Sequence, residues 1–426
     1  MSLWKIAWRS IQQRSLASAL TALSMALGVA LVVAVLVILG VIDQSFHRSA
    51  QGYDLIIGAK GSRLELVLST VFHLGRPTAN IPYRVYYELI NGRYASNVDA
   101  AVPVCLGDTF KGFRVIGTTP DMFEKLEYMD QKRYEFREGG RNFAWDQPFE
   151  AVVGYTVARR AGLEVGKTFR PVHGDVADRS GEHELFTVVG ILKPTGTPND
   201  RAVFVNIEGF YRIHAPPKEE KHQGEATPSG HDHHDEAITM AEREITAVLV
   251  ALRSDLGPRR VALPKTMSKD LEVLAVAPSE EVTRLFEGIV GNVRWILLFL
   301  AVLVVIVAGI GILVSMYNSM SERRHEIAIM RALGARRVTV LLVILCESIL
   351  LALGGGGMGL LLGHGLTGGL APIIADRIGV VISPFQFQTS ELILIPGLIL
   401  LAVAVGYLPA VVAYRTDVAQ SLISSP

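Results

Sequence analysis

The stretch Val293–Arg337, VRWILLFLAVLVVIVAGIGILVSMYNSMSERRHEIAIMRALGARR, decides what kind of protein this is. Val293–Tyr317 is apolar apart from Arg294, and about 20 such residues are enough for a helix to cross a hydrocarbon core. Directly after it, Ser321–Arg337 is the densest basic segment of a chain whose net charge is zero. Ser321 is placed to cap a helix that ends near Leu333, with Gly334 as a left-handed stop. Ile327, Met330 and Leu333 then share one face, while Glu322, Arg323, Arg324, Glu326, Arg331 and Arg337 occupy the others. An ordinary positive loop beside a membrane accounts for the arginines, but not for the apolar stripe or the helix stop. The segment therefore reads as a short helix built to touch something in the cytosol.

Three more blocks have the length and apolar character of Val293–Tyr317: Ala17–Ile42, Val338–Gly363 and Ile393–Val412. Half of the 426 residues are hydrophobic and 19% are charged, with mean hydropathy +0.34, which is too apolar for a soluble protein of this size. The first block is long for a secretory signal and lacks a convincing small-residue cleavage site after Gly40, so it reads as a retained span. Flanking charges set the orientation. Lys5, Arg9 and Arg14 precede the first span, five arginines lie between the second and third, and Arg415 follows the fourth, while the connection between the third and fourth carries only Arg377. Both termini and the Ser321 helix are expected in the cytosol, and Asp43 to about Asn292 outside.

The expected fold is a membrane α-helical protein of four transmembrane helices, with a large α+β extracytoplasmic domain inserted between the first and second. Residues 1–15 form an interfacial amphipathic helix, with Trp4, Trp8 and Ile11 on one side and Lys5, Arg9, Gln12 and Gln13 on the other. Then follow a span over 16–42, the outer domain over 43–292, a span over 293–317 and the cytosolic helix over 318–337. A span over 338–363, a short outer connection over 364–392, a span over 393–412 and a cytosolic tail over 413–426 complete the chain. Within the outer domain, Phe113–Gly117, Glu150–Val153, Leu185–Ile191, Ala202–Val205 and Ile245–Leu252 read as strands. Tyr155–Ala161, Ile207–Tyr211 and Glu280–Ile289 read as helices. Cys346 falls inside the third span and Cys105 in the outer domain, so the topology keeps them apart and no intrachain disulfide is expected.

Two features suggest chemistry. Residues 214–236, HAPPKEEKHQGEATPSGHDHHDE, lack large apolar side chains and read as a loop. His214, His222, His231, His233 and His234, with Asp232 and Asp235, offer enough imidazole and carboxylate to hold a divalent ion such as zinc. Gly162–Thr168, GLEVGKT, imitates a phosphate-binding loop but has three residues between its glycines where four are required, and it is expected on the outer side. No other nucleotide loop or hydrolytic motif occurs in the sequence, so no catalytic residues and no cofactor of its own are expected, and a stand-alone enzyme is disfavoured. In the third span, Gly355, Gly359 and Gly363 repeat at GxxxG spacing, which lets a second helix of the same or another chain approach closely. Glu347, near the cytosolic end of that span, is expected to snorkel toward the interface.

The whole pattern resembles a permease of the MacB type, in the superfamily that also holds FtsX and the lipoprotein-releasing permeases. The resemblance rests on DLIIGAKGS from Asp54, AVPVCLGDTFKGFRVIGTTPDMF from Ala101, VVGYTVARRAGLEVGKTF from Val152 and TVVGILKPTGTPNDRAVFVNIEGFYRIH from Thr187. It continues with ERRHEIAIMRALGA from Glu322 and LPAVVAYRTDVAQSL from Leu408. It implies the membrane subunit of an ABC system in a bacterial inner membrane, working as a homodimer with a dimeric ATPase that binds ATP and Mg. Nothing precedes Met1, so that ATPase is expected on a separate polypeptide. The segment Glu322–Ala335 corresponds to the family's coupling helix, which rests on the ATPase. The spans would transmit movement to the outer domain by mechanotransmission, for efflux or for handling a lipoprotein or other substrate, with a periplasmic or lipoprotein partner, membrane lipid and no nucleic acid. The alternative within the same superfamily is an FtsX-like scaffold that activates a periplasmic cell-wall hydrolase. The histidine-rich loop is not part of the family pattern, and it suggests a link to zinc.

Overall fold

A helix over Leu3–Gln13 is followed, after a turn at Arg14, by a helix that runs without a break from Ser15 to Ser49. The computed structural model describes residues 3–49, 52–77, 79–128, 132–173, 184–214, 243–322, 327, 329–331, 334–378, 387 and 389–415. The other long helices are Gly291–Glu322, Arg337–Ile378 and Leu394–Arg415. The stretches long and apolar enough to cross a membrane are 15–46, 295–318, 337–374 and 391–412, the last beginning in the turn just before the Leu394–Arg415 helix. The third helix continues past the expected end at Gly363 to Ile378, with Pro372 inside it, so the connection to the fourth span is shorter than expected. Apolar residues such as Leu366, Leu370 and Ile373 carry the helical pattern onward there.

The chain divides into two units, one of residues 1–43, 289–375 and 381–426, the other of 44–288 and 376–380. In the first, small residues set which helices touch. A Cβ added at Gly28 would meet Val304 at 3.4 Å, one at Gly309 would meet Leu401 at 3.3 Å, and one at Gly356 would meet Leu398 at 2.5 Å. The first helix thus packs on the second, the second on the fourth, and the third on the fourth. Arg337 lies over the ring of Tyr414, 5.8 Å from its centroid, joining the start of the third helix to the end of the fourth. In the Leu3–Gln13 helix Ala7 and Ser10 are buried, while Trp4 and Trp8 are about half exposed, the disposition of an interfacial helix.

The second unit is built on a ten-stranded sheet. Its strands are β1 (Leu55–Gly58), β2 (Val98–Phe110), β3 (Phe113–Thr118), β4 (Glu150–Val153), β5 (Thr168–Phe169), β6 (Val172–His173), β7 (Phe186–Ile191), β8 (Ala202–Asn206), β9 (Ala247–Leu252) and β10 (Leu274–Val276). They run in the order β10-β1-β9-β2-β3-β8-β4-β7-β5, with β6 paired to β2. The pairs β3–β8 and β4–β7 are parallel and the others antiparallel. Alternate side chains of each strand enter opposite cores: Ile57, Ala101 and Cys105 pack with Leu89, Val157 and Met267 on one face, and Ile56, Val102 and Val104 pack with Val67, Phe123 and Val282 on the other. A sheet covered by helices on both faces needs no cross-link, and both cysteines are free.

The expected strands are present except that Ile245–Leu252 is divided at Thr246: Ile245 pairs with Ile81 in a separate two-stranded sheet, and Ala247–Leu252 is β9; the three helices are present, with Ile207–His214 extended and Pro278–Leu285 continuing into a π turn over Phe286–Val290. The long strand β2 is an addition to those expectations. Pro103 and Gly107 interrupt its pattern, since proline has no N–H for a ladder and glycine weakens a strand. The register shift between Leu106 and Asp108 falls at Gly107, so the glycine marks a bulge.

Candidate functional site

Of the charged segment between the second and third spans, Ile327, Ile329, Met330 and Arg331 are helical, whereas Arg323, Arg324, Glu326 and Leu333 lie outside the described residues. Glu322 ends the second long helix. Ile327 is buried and Ile329 exposed, so the apolar stripe has an inner side. Gly334, at φ 98°, stops the helix. Its N–H donates to the Arg331 carbonyl at 3.0 Å, and the Ala335 N–H donates to the Met330 carbonyl at 3.0 Å. These two bonds form the Schellman pattern, in which a residue with positive φ lets the last carbonyls of a helix find donors.

The three glycines of the third span all meet the first. A Cβ at Gly355 would lie 2.8 Å from the Ala22 oxygen and 2.9 Å from the Met25 Cβ. At Gly359 the neighbours are Val29 Cβ at 2.6 Å and the Ala26 oxygen at 2.7 Å; at Gly363 they are Val33 Cβ at 2.7 Å and the Ala30 oxygen at 3.1 Å. The partner is a helix of the same chain. Numbers rise together along both helices, so they run parallel, as the first and third of four alternating spans must.

The helical unit also holds buried acidic side chains, and at one of them, Glu347, the surroundings differ from the expectation. Glu347 is 6% exposed and makes interactions there, which corrects the expected snorkelling toward the interface. Its neighbour Ser348 is enclosed against Gly406 of the fourth helix, so this turn faces the bundle. His364 Nε2 lies 2.9 Å from the Glu391 carboxylate, and both residues are largely buried. This pair ties the third helix to the turn before the fourth. The partners are 27 positions apart, a spacing that no local motif marks.

In the outer unit the phosphate-loop imitation resolves into turns. Gly162, at φ 68°, ends the Tyr155–Ala161 helix, Gly166 has φ 88°, and Lys167 Nζ donates to the Gly162 carbonyl at 3.1 Å. Cys105 is enclosed, and burial pushes its thiol up to about 12, so it is inert. A polar node underlies the segment Thr195–Arg201. The Asp200 carboxylate accepts from Thr195 N at 2.9 Å, Thr195 Oγ1 at 2.8 Å and Gly196 N at 2.9 Å, and burial nonetheless raises its pKa. Asn199 accepts from His73 Nε2 at 3.0 Å and donates to Tyr134 Oη at 2.7 Å.

Among the expected metal ligands only His214 is described; His222, His231, Asp232, His233, His234 and Asp235 lie outside the described residues. Among the described residues no group of three or more His, Cys, Asp or Glu is arranged to hold a metal. His214 ends its helix with Nε2 3.2 Å from Asp108 Oδ1 and Nδ1 2.8 Å from the Phe210 carbonyl. Burial works against its charged form, but the Asp108 hydrogen bond and charge, with the Phe210 carbonyl, outweigh it and raise the pKa.

Residues 18–255 match the MacB-like periplasmic core domain, and residues 298–418 match the FtsX-like permease C-terminal region. The chain is 33% identical over 129 residues to the macrolide export ATP-binding/permease protein MacB of Escherichia coli, covering 30% of this chain and 19% of that one. It is 26% identical over 230 residues to an uncharacterised ABC transporter permease of Methanocaldococcus jannaschii, covering 53% of this chain and 50% of that one. The chain thus spans about a fifth of the bacterial relative and half of the archaeal one. Among solved structures, the extracellular domain of the noncanonic ABC-type transporter YknZ is matched over 52% of this chain and 98% of that chain, at 10% identity and a TM-score of 0.30.

Proposed function

We propose that this chain, which belongs to the family of ABC transporter permeases joining a MacB-like periplasmic core domain to an FtsX-like permease region, transmits ATP-driven movement to its outer domain. It is a multi-pass membrane protein with an extracytoplasmic core domain. The work comes from a separate ATPase subunit that binds ATP and Mg and rests on the segment Glu322–Gly334. The permease acts as a homodimer in a bacterial inner membrane, with both termini in the cytosol, and its outer domain engages a periplasmic or lipoprotein partner. Its cargo or partner is linked to zinc through the sequence 214–236.

One observation carries this reading: the two family matches follow each other in the order span, outer domain, three spans, and a charged helix with a Schellman stop lies between the second and third spans. The similarity to an archaeal protein named simply as a permease supports an ATPase on another polypeptide. Purification of the full chain in mild detergent tests the proposal. An ABC ATPase should come with it, and Arg331→Glu should release that ATPase or abolish its stimulation by the permease. Capture of a cell-wall hydrolase with no ATP-driven cargo movement would turn the reading to the FtsX-like scaffold.

A further inference from the structure

The first and second long helices both pass between the helical unit and the outer domain, and they do so differently. On the first, the boundary between Asp43 and Gln44 falls inside a helix that is unbroken from Ser15 to Ser49. On the second, the boundary between Gly288 and Ile289 falls inside the π turn Phe286–Val290. Just before that turn, Pro278–Leu285 is fastened to the outer domain: Val282 is buried in its core, and Glu281 pairs with Arg63 at 3.6 Å. Just after it, Gly291–Glu322 belongs to the helical unit. A π turn holds one residue more than an α-helical turn and interrupts the regular hydrogen-bond ladder, so helices bend there.

Two further observations point the same way. Phe46, near the outer end of the first helix, lies between two rings: it stacks on Phe72 with centroids 4.5 Å apart and meets Phe286 edge-on at 5.6 Å. Phe72 belongs to the outer core with Val67 and Val282, so the unbroken helix is seated on the outer domain beside the start of the π turn. The Phe286 N–H is shared between the Val282 and Thr283 carbonyls, which marks the end of the regular ladder. Within the turn, Gly288 is exposed, and a Cβ added to it would meet nothing within 4 Å. A glycine inside a helix weakens it. No close neighbour requires one here, so what Gly288 supplies is backbone freedom at the unit boundary.

We propose that the π turn Phe286–Val290 is a swivel on which the second span turns against the outer domain, while the first span is held to that domain at Phe46. The inference rests on the permease reading only for what drives the turning. Distances between paired spin labels on the full chain in lipid nanodiscs test it, with Cys346→Ala leaving the enclosed Cys105 as the other cysteine. Labels at Glu280→Cys and Ile296→Cys bracket the turn, and labels at Leu27→Cys and Asp43→Cys bracket an equal length of the unbroken first helix, about 24 Å at the helical rise. All four side chains are exposed. The distance distribution across the turn should be at least twice as wide as that on the first helix. Deletion of Gly288, which converts the π turn to an α-helical one, should narrow it to the width of the other pair. Equal widths in the undeleted chain overturn the proposal, and so does an undiminished width after the deletion in protein with unchanged far-UV circular dichroism. If the deletion variant misfolds, the comparison of the two pairs in the undeleted chain decides. ATP added to preparations that carry the co-purifying ATPase should shift the Glu280–Ile296 distances and leave the Leu27–Asp43 distances in place. Absence of any ATP response counts against the permease reading, and the widths still decide the swivel.

Discussion

Gly359 and Val29 stand so close that a Cβ on the glycine would lie 2.6 Å from the Cβ of the valine. Such a contact leaves no room for a larger side chain, because both neighbours belong to helix bodies and cannot swing away. Gly359→Leu is expected to destabilise the helical unit by about 1–3 kcal/mol, the usual penalty of overpacking. Gly357, with nothing within 4 Å of its Cβ position, is the control. Thermal unfolding in detergent should separate the two, and an equal effect of Gly359→Leu and Gly357→Leu would remove the packing role.

Gly334 holds φ 98° to close the helix in front of the third span. Replacing it with alanine forces a side chain into a left-handed conformation, at about 1–2 kcal/mol. The outer domain should be unaffected, whereas stimulation of the co-purifying ATPase should fall, and further in Gly334→Val, whose branched side chain tolerates that backbone less. Full stimulation in both variants would show that the helix stop is not part of coupling.

His73 gives the outer domain a defined acid sensitivity. Burial, opposed by the Asn199 hydrogen bond and aided by the charge of Arg114, lowers its pKa from 6.5 to about 4. The folded state thus keeps the ring neutral where the unfolded chain has already taken up a proton. Stability is fully present above pH 6.5 and declines as pH falls toward 4, by roughly 3 kcal/mol over that interval. His73→Asn should flatten this slope in urea unfolding followed by near-UV circular dichroism. A slope identical to that of the wild type would mean that other groups set it.

Asp200 closes the segment Thr195–Arg201 by accepting from two backbone N–H groups and a hydroxyl. Asp200→Ala strands these donors in a buried place, where each unmet donor costs about 1–3 kcal/mol. Asp200→Asn keeps one acceptor oxygen and should fall between wild type and alanine. The order of the three melting temperatures checks the claim, and alanine matching wild type contradicts it.

Properties that repeat locally are legible in the amino-acid sequence. The four spans follow from runs of apolar residues, and strands such as Glu150–Val153 from short β-branched runs between turns. Gly334 announces its helix stop because left-handed geometry favours glycine. What escapes is set by distance along the chain. Asp108 meets His214, and His364 meets Glu391, through folding alone, and nothing near either residue names its partner. The strand Val98–Phe110 escapes for another reason: burial on both sheet faces overrides the local signals of Pro103 and Gly107. The spacing of Gly355, Gly359 and Gly363 betrays a close approach but not the helix that makes it.

The contact of those glycines also has a translational symmetry. Ala22, Ala26, Ala30 and Ala34 recur every four residues, as do Met25, Val29, Val33 and Val37, matching the glycine period. Sliding the first helix past the third by four residues, about 6 Å at the helical rise, would bring Gly355 to Ala26 and Val29, and Gly359 to Ala30 and Val33. The interface is therefore degenerate along its own axis: an offset of less than four residues would set side chains against the glycine notches, yet a second seat of nearly the same shape lies one step away.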